Sequence, residues 1–279
     1  METALHGVGL GFRRDLVDYF LDSQTVAPRF VELAPENWME IGGRWLKKLK
    51  AVADKFPITS HGLSLSLGSP EPLDMEFLRG VKKFLNDYNV QIYSEHLSFC
   101  KCGNAHLYDL LPIPFCEEAV VHVSSRIQQV QDFLERKIAI ENVSYYTSVA
   151  PTMDEARFIS EIVKRADCNL LLDVNNVFVN SFNHGYDAKE FILRLPLDRV
   201  VYIHMAGHEQ ISSDLIIDTH GQAIIEPVYE LFEWTLQKIN PVPVLLERDF
   251  NFPKAQELNH EISRLQKILN STWKLQDAA

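Results

Sequence analysis

The stretch NLLLDVNN, residues 169–176, decides the fold predicted for this chain. Its three leucines lead directly into Asp173, and the run VPVLLE at 242–247 repeats the pattern before Glu247. An apolar run without alternation is typical of a parallel strand covered on both faces, because a half-exposed strand alternates apolar and polar residues. Six further β-rich runs occur along the chain. The eight predicted strands are residues 7–12, 30–35, 58–67, 91–99, 137–145, 169–179, 200–205 and 242–250.

Each predicted strand is followed by a segment with helical periodicity, and some of these segments begin with a capping signal. Asp187 precedes one of them, and Thr152 precedes Asp154 and Glu155 at the start of another. The predicted helices are residues 14–21, 38–53, 74–88, 115–134, 152–165, 188–195, 227–239 and 254–273.

Eight β–α units in roughly 250 residues match a (β/α)8 TIM barrel in number and size. The competing α/β architecture, a doubly wound open sheet, usually carries a glycine-rich phosphate-binding turn after its first strand. GVGLG at 7–11 lacks the GxGxxG spacing of that turn. We therefore predict that residues 1–279 form a single TIM-barrel domain, with its site at the C-terminal ends of the strands.

The composition excludes several classes of function. The chain has 27 Lys and Arg against 38 Asp and Glu, a formal net charge of −11, whereas binding to nucleic acid or an anionic membrane requires a basic face. No apolar stretch approaches the roughly 18 residues of a membrane span, and residues 1–14 lack the order of a secretory signal. We expect a soluble, cytoplasmic protein with four free thiols. The cysteines are Cys100, Cys102, Cys116 and Cys168.

Polar residues cluster at the ends of the predicted strands, in a pattern that packing alone does not explain. The third to the eighth strands all carry His, Asp or Glu at or near their C-terminal ends. Charged side chains are rarely buried unless they are paired or bind a metal. Asp218 and His220 follow in a loop, at a spacing that puts both side chains on one face of an extended segment. The ten candidate metal ligands are His61, His96, Glu141, Asp173, Asn176, His204, His208, Asp218, His220 and Glu247.

This ligand set predicts a multinuclear centre. Imidazole with carboxylate suits iron, zinc or manganese, and one open site needs about three protein ligands, so ten candidates indicate two or three ions. Glu141 and Glu247 are the natural bridges, because a carboxylate can bind one metal through each oxygen. Single residues also have ordinary interpretations. His61 alone is more often a hydrogen-bonded core histidine, and Glu141 alone is equally an ion-pair partner for Arg248.

Taken together and in this order, the motifs at the strand ends resemble those of one known family. That family is the multinuclear non-haem iron-dependent oxidative enzymes, which include the catalytic subunit of the methanobactin oxazolone/thioamide synthase. The resemblance covers roughly residues 7–270. The motifs are ELAPENW (32–38), SHGLSLSLG (60–68), SEHLSF (94–99), IENV (140–143), LLDVNNVFVN (171–180), NHGYD (183–187), YIHMAGH (202–208), DTHG (218–221) and LLERDFNFP (245–253).

The resemblance implies a xylose-isomerase-like barrel that binds two to three iron ions and uses O2 as co-substrate. It also allows the purified protein to contain other divalent metals. It implies roles in catalysis for Glu141, Asp249 and His184, the last two as residues that orient the ligands. Asn175 is the alternative to Asn176 as a ligand. The implied groups are His61, His96 and Glu141 at one iron; Glu141, Asp173, His204 and Glu247 at a second; and Asn176, His208, Asp218 and His220 at a third.

The reaction implied by the resemblance is oxidative modification of cysteine residues in a ribosomally synthesised peptide, of which oxazolone and thioamide formation is one outcome. The implied partners are a Cys-containing precursor peptide and a separate protein that recognises its leader. Two alternatives use the same barrel. One is a divalent-metal sugar isomerase or epimerase. The other is a phosphodiester hydrolase, which the acidic charge disfavours.

Overall fold

The computed structural model describes residues 5–22, 28–102, 105–147 and 151–276. Its barrel strands are β1 (Val8–Gly11), β2 (Val31–Leu33), β3 (Ile58–Gly62), β4 (Tyr93–His96), β7 (Ala139–Glu141), β8 (Asn169–Asp173), β9 (Val200–Met205) and β12 (Val244–Leu246). Two hairpins lie in the loops, formed by β5 (Phe99–Cys102) with β6 (Ala105–Leu111) and by β10 (His208–Gln210) with β11 (Ile216–Asp218). The sequence patterns did not predict these hairpins.

The eight strands are all parallel and close in the order β1-β12-β9-β8-β7-β4-β3-β2. Closure and count confirm the predicted (β/α)8 TIM barrel. The α-helices that accompany them are α1 (Val17–Leu21), α2 (Gly43–Ala53), α3 (Met75–Asp87), α4 (Glu117–Leu134), α5 (Glu155–Ala166), α6 (Val174–His184), α7 (Ala188–Leu193), α8 (Glu226–Leu236) and α9 (Ala255–Gln276).

Several predicted strands are longer than the observed ones, and the second half of one of them is a helix. The run 169–179 is a strand only as far as Asp173, and α6 begins at the next residue. The carboxylate of Asp173 accepts a hydrogen bond from the backbone N–H of Asn176 at 2.7 Å, so it caps the helix in the way that short polar side chains do. The apolar residues after Asp173 are therefore the buried side of a helix.

Several predicted helices begin later than their patterns indicate, and α2 and α5 show why. Residues 38–42 precede α2, which starts at Gly43, where φ is +59°. Helix α5 follows Asp154 rather than Thr152, because the Asp154 side chain accepts from the backbone N–H of Arg157 at 3.1 Å. The predicted cap at Asp187 is confirmed, since its side chain accepts from the N–H of Glu190 at 2.8 Å.

Strand register brings the polar strand ends to one level. His96 lies opposite Glu141 between β4 and β7, and Asp173 lies opposite His204 between β8 and β9. Inside the barrel a small apolar layer lies two residues earlier on each of three strands, at Ala139, Leu171 and Tyr202. Because side chains repeat every two residues along a strand, the residues two positions further on face the same interior. The barrel is thus apolar below and polar at its C-terminal mouth.

Cys100, Cys116 and Cys168 are free thiols, as predicted, and the side chain of Cys102 lies outside the described residues. Within the described ranges, no helix combines the length and the apolar character that a membrane crossing requires.

Candidate metal centre

The first cluster at the barrel mouth consists of His61, His96 and Glu141. Nε2 of His61 lies 3.0 Å from Nε2 of His96 and 2.7 Å from Oε2 of Glu141, and the distance from His96 Nε2 to Glu141 Oε2 is 3.5 Å. One ligand atom of each residue lies within 4.8 Å of the others, and each side chain is largely buried. This is the spacing of donors that share one metal ion.

Hydrogen bonds on the far side of both rings determine which nitrogen carries the proton. Nδ1 of His96 lies 2.9 Å from the carbonyl oxygen of Gly62, which can only accept, so Nδ1 carries the hydrogen. Nδ1 of His61 lies 2.8 Å from Oγ of Ser94, which donates onward to the carbonyl of Ser60 at 3.5 Å. When both rings are neutral, each presents a lone pair on Nε2, and these lone pairs repel each other across the 3.0 Å between the two atoms. A cation between them would remove this repulsion.

The clusters continue across the barrel through His204. Glu141, Asp173 and His204 form a second group, and Glu32, His204 and Glu247 form another. Nε2 of His204 donates to Oε2 of Glu32 at 3.0 Å. Nδ1 of His204 therefore faces Oε2 of Glu247 at 3.1 Å without a well-aligned hydrogen bond.

His220, at the rim of the barrel mouth, resembles His204 in having one ring nitrogen hydrogen-bonded and the other facing a carboxylate. Its Nδ1 lies 3.1 Å from Oδ2 of Asp249, which accepts the hydrogen bond, and its Nε2 lies 2.7 Å from Oδ1 of Asp218 without a well-aligned hydrogen bond. A fourth group comprises Asp173, His220 and Glu247. The φ of His220 is +53°, so residues 218–220 are not fully extended as predicted, although both side chains still meet.

Asn175 and Asn176, the two alternatives for one ligand, differ in whether their amide oxygen is already hydrogen-bonded. Asn175 donates from Nδ2 to Oδ1 of Asp218 at 2.7 Å, and its Oδ1 accepts from Nδ1 of His208 at 2.8 Å. Both ends of that amide are used. Asn176 donates from Nδ2 to Oε1 of Glu141 at 3.0 Å, and its Oδ1 is buried without a hydrogen-bond partner. Asn176 therefore lies beside Glu141 and keeps an oxygen free for a ligand.

Buried polar atoms without aligned partners test whether this site suits a metal. Leaving such atoms unsatisfied costs roughly 1–3 kcal/mol each. They belong to residues that come from different strands and loops yet converge on one region, which metal ligands do and misplaced core residues do not. The unsatisfied atoms of the candidate ligands are Glu141 Oε2, Asp173 Oδ2, Asn176 Oδ1, His204 Nδ1 and His220 Nε2. The donor set fits a cation.

The pKa shifts of the residues at the barrel mouth also indicate a site that attracts a cation. Burial raises the pKa of Asp173 well above its usual range, and the charges of Glu141 and Asp218 raise it further. Burial would lower the pKa of His204 and His220, but carboxylates around each ring outweigh it and raise both well above normal. The mouth of the barrel therefore attracts positive charge, as protons or as metal ions.

At the first cluster the two imidazoles shift in opposite directions, because Glu141 outweighs the effect of burial at His61 and raises the pKa of that ring. Burial lowers the pKa of His96 to about 4, so its imidazole is neutral near pH 7. Burial would raise the pKa of Glu141, but the attraction between its carboxylate and protons on the imidazoles of His96 and His61 outweighs burial and lowers this pKa to about 2. A neutral imidazole and an ionised carboxylate are the forms that bind metals.

Arg13 and Glu32 also belong to this site, although neither was among the candidate residues predicted from the sequence. Arg13 donates from Nη2 to Oε1 of Glu247 at 3.1 Å and from Nε to Oδ1 of Asp249 at 2.7 Å. Glu32 is the middle residue of β2, between Val31 and Leu33, so a rule based on the ends of strands does not select it. Arg248 does not pair with Glu141, because it donates to Oε2 of Glu261 at 2.6 Å.

Each of the two expected bridging glutamates has one oxygen already occupied. Asn176 holds Oε1 of Glu141, and Arg13 holds Oε1 of Glu247. The other oxygen, Oε2, faces histidine nitrogens in both residues.

His184 lies apart from these clusters. Its Nε2 donates to the carbonyl of Tyr145 at 2.9 Å, and its ring stacks on that of Tyr145 with centroids 4.2 Å apart. None of its described contacts reaches a candidate ligand.

The fold and the site together define a TIM barrel of the xylose-isomerase-like class with a buried His and carboxylate centre. Solved structures with the same fold include L-ribulose 3-epimerase, with TM-score 0.62 and 10% identity over 98% of this chain and 97% of that one. A xylose isomerase domain protein from Planctomyces limnophilus gives TM-score 0.53 and 13% identity, covering 99% of this chain and 96% of that one. At these identities the likeness concerns the fold alone.

The chain belongs to the family described as RiPP precursor modification enzyme MbnB/TglH/ChrH, whose model matches residues 7–270. RiPPs are ribosomally synthesised and post-translationally modified peptides. A UPF0276 protein of Acinetobacter baylyi is 53% identical over 263 residues, covering 94% of this chain and 91% of that protein. The family resemblance inferred from the motifs is confirmed, and the chain is a member of an enzyme family that modifies peptide precursors.

Proposed function

We propose that this protein oxidatively modifies cysteine residues of a ribosomally synthesised precursor peptide, using O2 and a centre of two to three iron ions. One observation carries the metal part of the proposal. Five buried atoms that could bind a metal lack aligned hydrogen bonds and converge at the barrel mouth. Hydrogen-bond acceptors on the far side of the histidine rings hold a proton there, so that the other ring nitrogen faces this region. Membership of the peptide-modifying family supports the substrate class.

The ligand groups follow the clusters. His61, His96 and Glu141 would hold one iron. Glu141, Asp173 and His204, which form a second group, would hold another together with Glu247, which lies in separate groups with His204 and with Asp173. Asp218, His220 and His208 with Asn176 remain the proposed set for a third. Iron supplies redox chemistry with O2 that zinc, which has one stable oxidation state, does not.

The surrounding residues have roles that do not require direct contact with metal. Asp249 orients His220, and Arg13 holds Asp249 and Glu247 in place. Ala139, Leu171 and Tyr202 close the barrel below the centre, so water and substrate approach only from the mouth. A separate protein that recognises the peptide leader is part of this proposal. Sugar epimerisation has weaker support, because the similarity to epimerases extends only to the fold.

Metal analysis tests the proposed function. Protein purified without oxygen is expected to contain two to three equivalents of iron per chain, with Mössbauer signals of more than one iron environment, and to consume O2 when a Cys-containing precursor peptide is added. Protein that holds only zinc at full occupancy, and shows no O2 consumption after iron is restored, would exclude the oxidative function.

Substitution of Asn175 tests how the rim ligands are oriented. In Asn175→Ala, Nδ1 of His208 and Oδ1 of Asp218 both lose their partner. Because such orienting hydrogen bonds typically contribute 10–100-fold to metal affinity, we expect loss of affinity on roughly that scale at one site, with the other sites retained. Asn183→Ala is a matched control, since Asn183 hydrogen-bonds only to the backbone of Ile216 in the described contacts. Equal affinities in the two variants would contradict the orienting role.

A further inference from the structure

A cavity of about 370 Å³ lies beside the metal centre, between the start of α5, the end of α6 and α7. Aromatic rings form much of its wall. Tyr145 contacts Phe115 edge to face with centroids 5.4 Å apart and stacks on His184 at 4.2 Å. Tyr186 stacks on Phe191 at 5.2 Å. Rings held by such contacts form a preorganised wall, whose faces attract cations.

A buried carboxylate, that of Glu155, also lines this cavity, and the residue is only 7% exposed. Its oxygens accept hydrogen bonds from Nδ2 of Asn180 and from the hydroxyl of Tyr186, both at 3.3 Å. Among the described residues, no Lys, Arg or His forms an ion pair with it. Burial raises the pKa of Glu155 to about 8 despite hydrogen bonds from Tyr186, Tyr145 and Asn180, so the side chain is mainly protonated near pH 7 until a cation in the cavity favours the ionised form. A buried carboxylate without a counter-cation is costly unless a ligand supplies one.

The rim of the cavity is also acidic. Asp154, Asp187 and Glu190 line it, and the one guanidinium there, that of Arg194, is paired with Asp154 at 2.6 Å. Three rim carboxylates against one guanidinium give the mouth of the cavity a negative potential that favours positive ligands.

The loop after β7 places this cavity next to the candidate centre. Ser144 donates to Oδ2 of Asp218 at 3.4 Å, and the hydroxyl of Tyr146 accepts from the backbone N–H of Asp218 at 2.9 Å. Tyr145, between them, lines the cavity. Consecutive Cα atoms are about 3.8 Å apart. The backbone of this one loop therefore contacts the rim of the centre on one side and lines the cavity on the other.

We propose that the Glu155 cavity binds a cationic side chain, Lys or Arg, of the precursor peptide, within a few residues of the cysteine that reaches the metal centre. The aromatic walls would surround the alkyl stem and face the cation, and Glu155 would supply its counter-charge. The identity of the ligand as a peptide rests on the proposed function. The preference for a cation rests on the cavity itself.

A binding experiment tests the inference with defined probes. The purified full-length protein is titrated with Nα-acetyl-lysine amide and with Nα-acetyl-norleucine amide, which has the same alkyl chain without the ammonium group, and binding is followed by NMR. We expect the lysine compound to bind at least about tenfold more tightly, with shifted signals from the aromatic rings of the cavity. Equal affinities for the two compounds would overturn the proposal, and this comparison needs no variant.

Two matched variants then locate the binding. Glu155→Gln keeps the shape of the side chain and one accepting oxygen but removes its charge, and it should abolish most of the preference for lysine. Glu161→Gln makes the same change at an exposed position of the same helix and should retain the preference. A folded Glu155→Gln protein with unchanged lysine affinity would also overturn the proposal. Protein that holds only zinc, shows no O2 consumption after iron is restored and still prefers the lysine compound would refute the iron chemistry while retaining this cavity.

Discussion

Glu141→Ala is expected to remove more than one metal equivalent per chain. Glu141 belongs to two ligand groups, one with His61 and His96 and the other with Asp173 and His204. Removing a ligand that two ions share weakens both sites, whereas an unshared ligand affects one. We expect the iron content, measured by mass spectrometry after anaerobic purification, to fall by more than one equivalent and peptide oxidation to fall by roughly 100-fold or more.

The matched control for this variant is Glu209→Ala. Glu209 is an exposed glutamate of β10, next to His208 in sequence, and it should leave the metal content unchanged. Circular dichroism checks that both variants keep the barrel. Loss of a single equivalent in folded Glu141→Ala would show that Glu141 is not shared.

Gly207→Ala is expected to have the largest effect on stability. Gly207 lies between His204 and His208, and a Cβ there would lie 2.1 Å from the carbonyl oxygen of Gln222 and 2.8 Å from that of Ala223. Both obstacles are backbone, so no side-chain rotation relieves the collision. Overpacking typically costs 1–3 kcal/mol, and we expect a loss in the free energy of unfolding of roughly 3 kcal/mol.

The same substitution should weaken the rim of the metal centre. The carbonyl of Gly207 accepts from the N–H of His220 at 3.0 Å, so displacing this turn moves His208 and His220 together. Chemical denaturation of metal-free protein measures the stability, and metal titration measures the second effect. Gly42→Ala is the control, because nothing lies within 4 Å of a Cβ there, and it should change stability by less than about 1 kcal/mol. Similar stabilities of the two variants would contradict the close approach at Gly207.

The fold was predictable because its signals are local. Continuous apolar runs indicated parallel strands with both faces covered, and their alternation with helical segments indicated a barrel. The error at residues 174–179 has a local cause too. A run such as VFVN reads equally as strand or helix, and only the capping contact from Asp173 to the backbone of Asn176 decides between them.

The site was predictable to the level of residue types at strand ends, and this rule does not reach Glu32, which lies in the middle of β2. Arg13 carried no such signal. Its partners Glu247 and Asp249 lie 234 and 236 residues away along the chain, and only closure of β1 against β12 brings them together. The cavity around Glu155 had no sequence signal for the same reason, since its walls come from separate helices and loops.

The sequence by itself determined the barrel, the family and the candidate ligands, because periodicity, strand-end position and motif order are properties of neighbouring residues. Tertiary structure decided which atoms of those ligands are free. Nδ1 of His204 faces the centre because Glu32 occupies Nε2, and Asn176 rather than Asn175 keeps an oxygen unpaired because His208 and Asp218 occupy both ends of Asn175. These choices depend on hydrogen bonds between residues distant in sequence, which exist only after the barrel has closed.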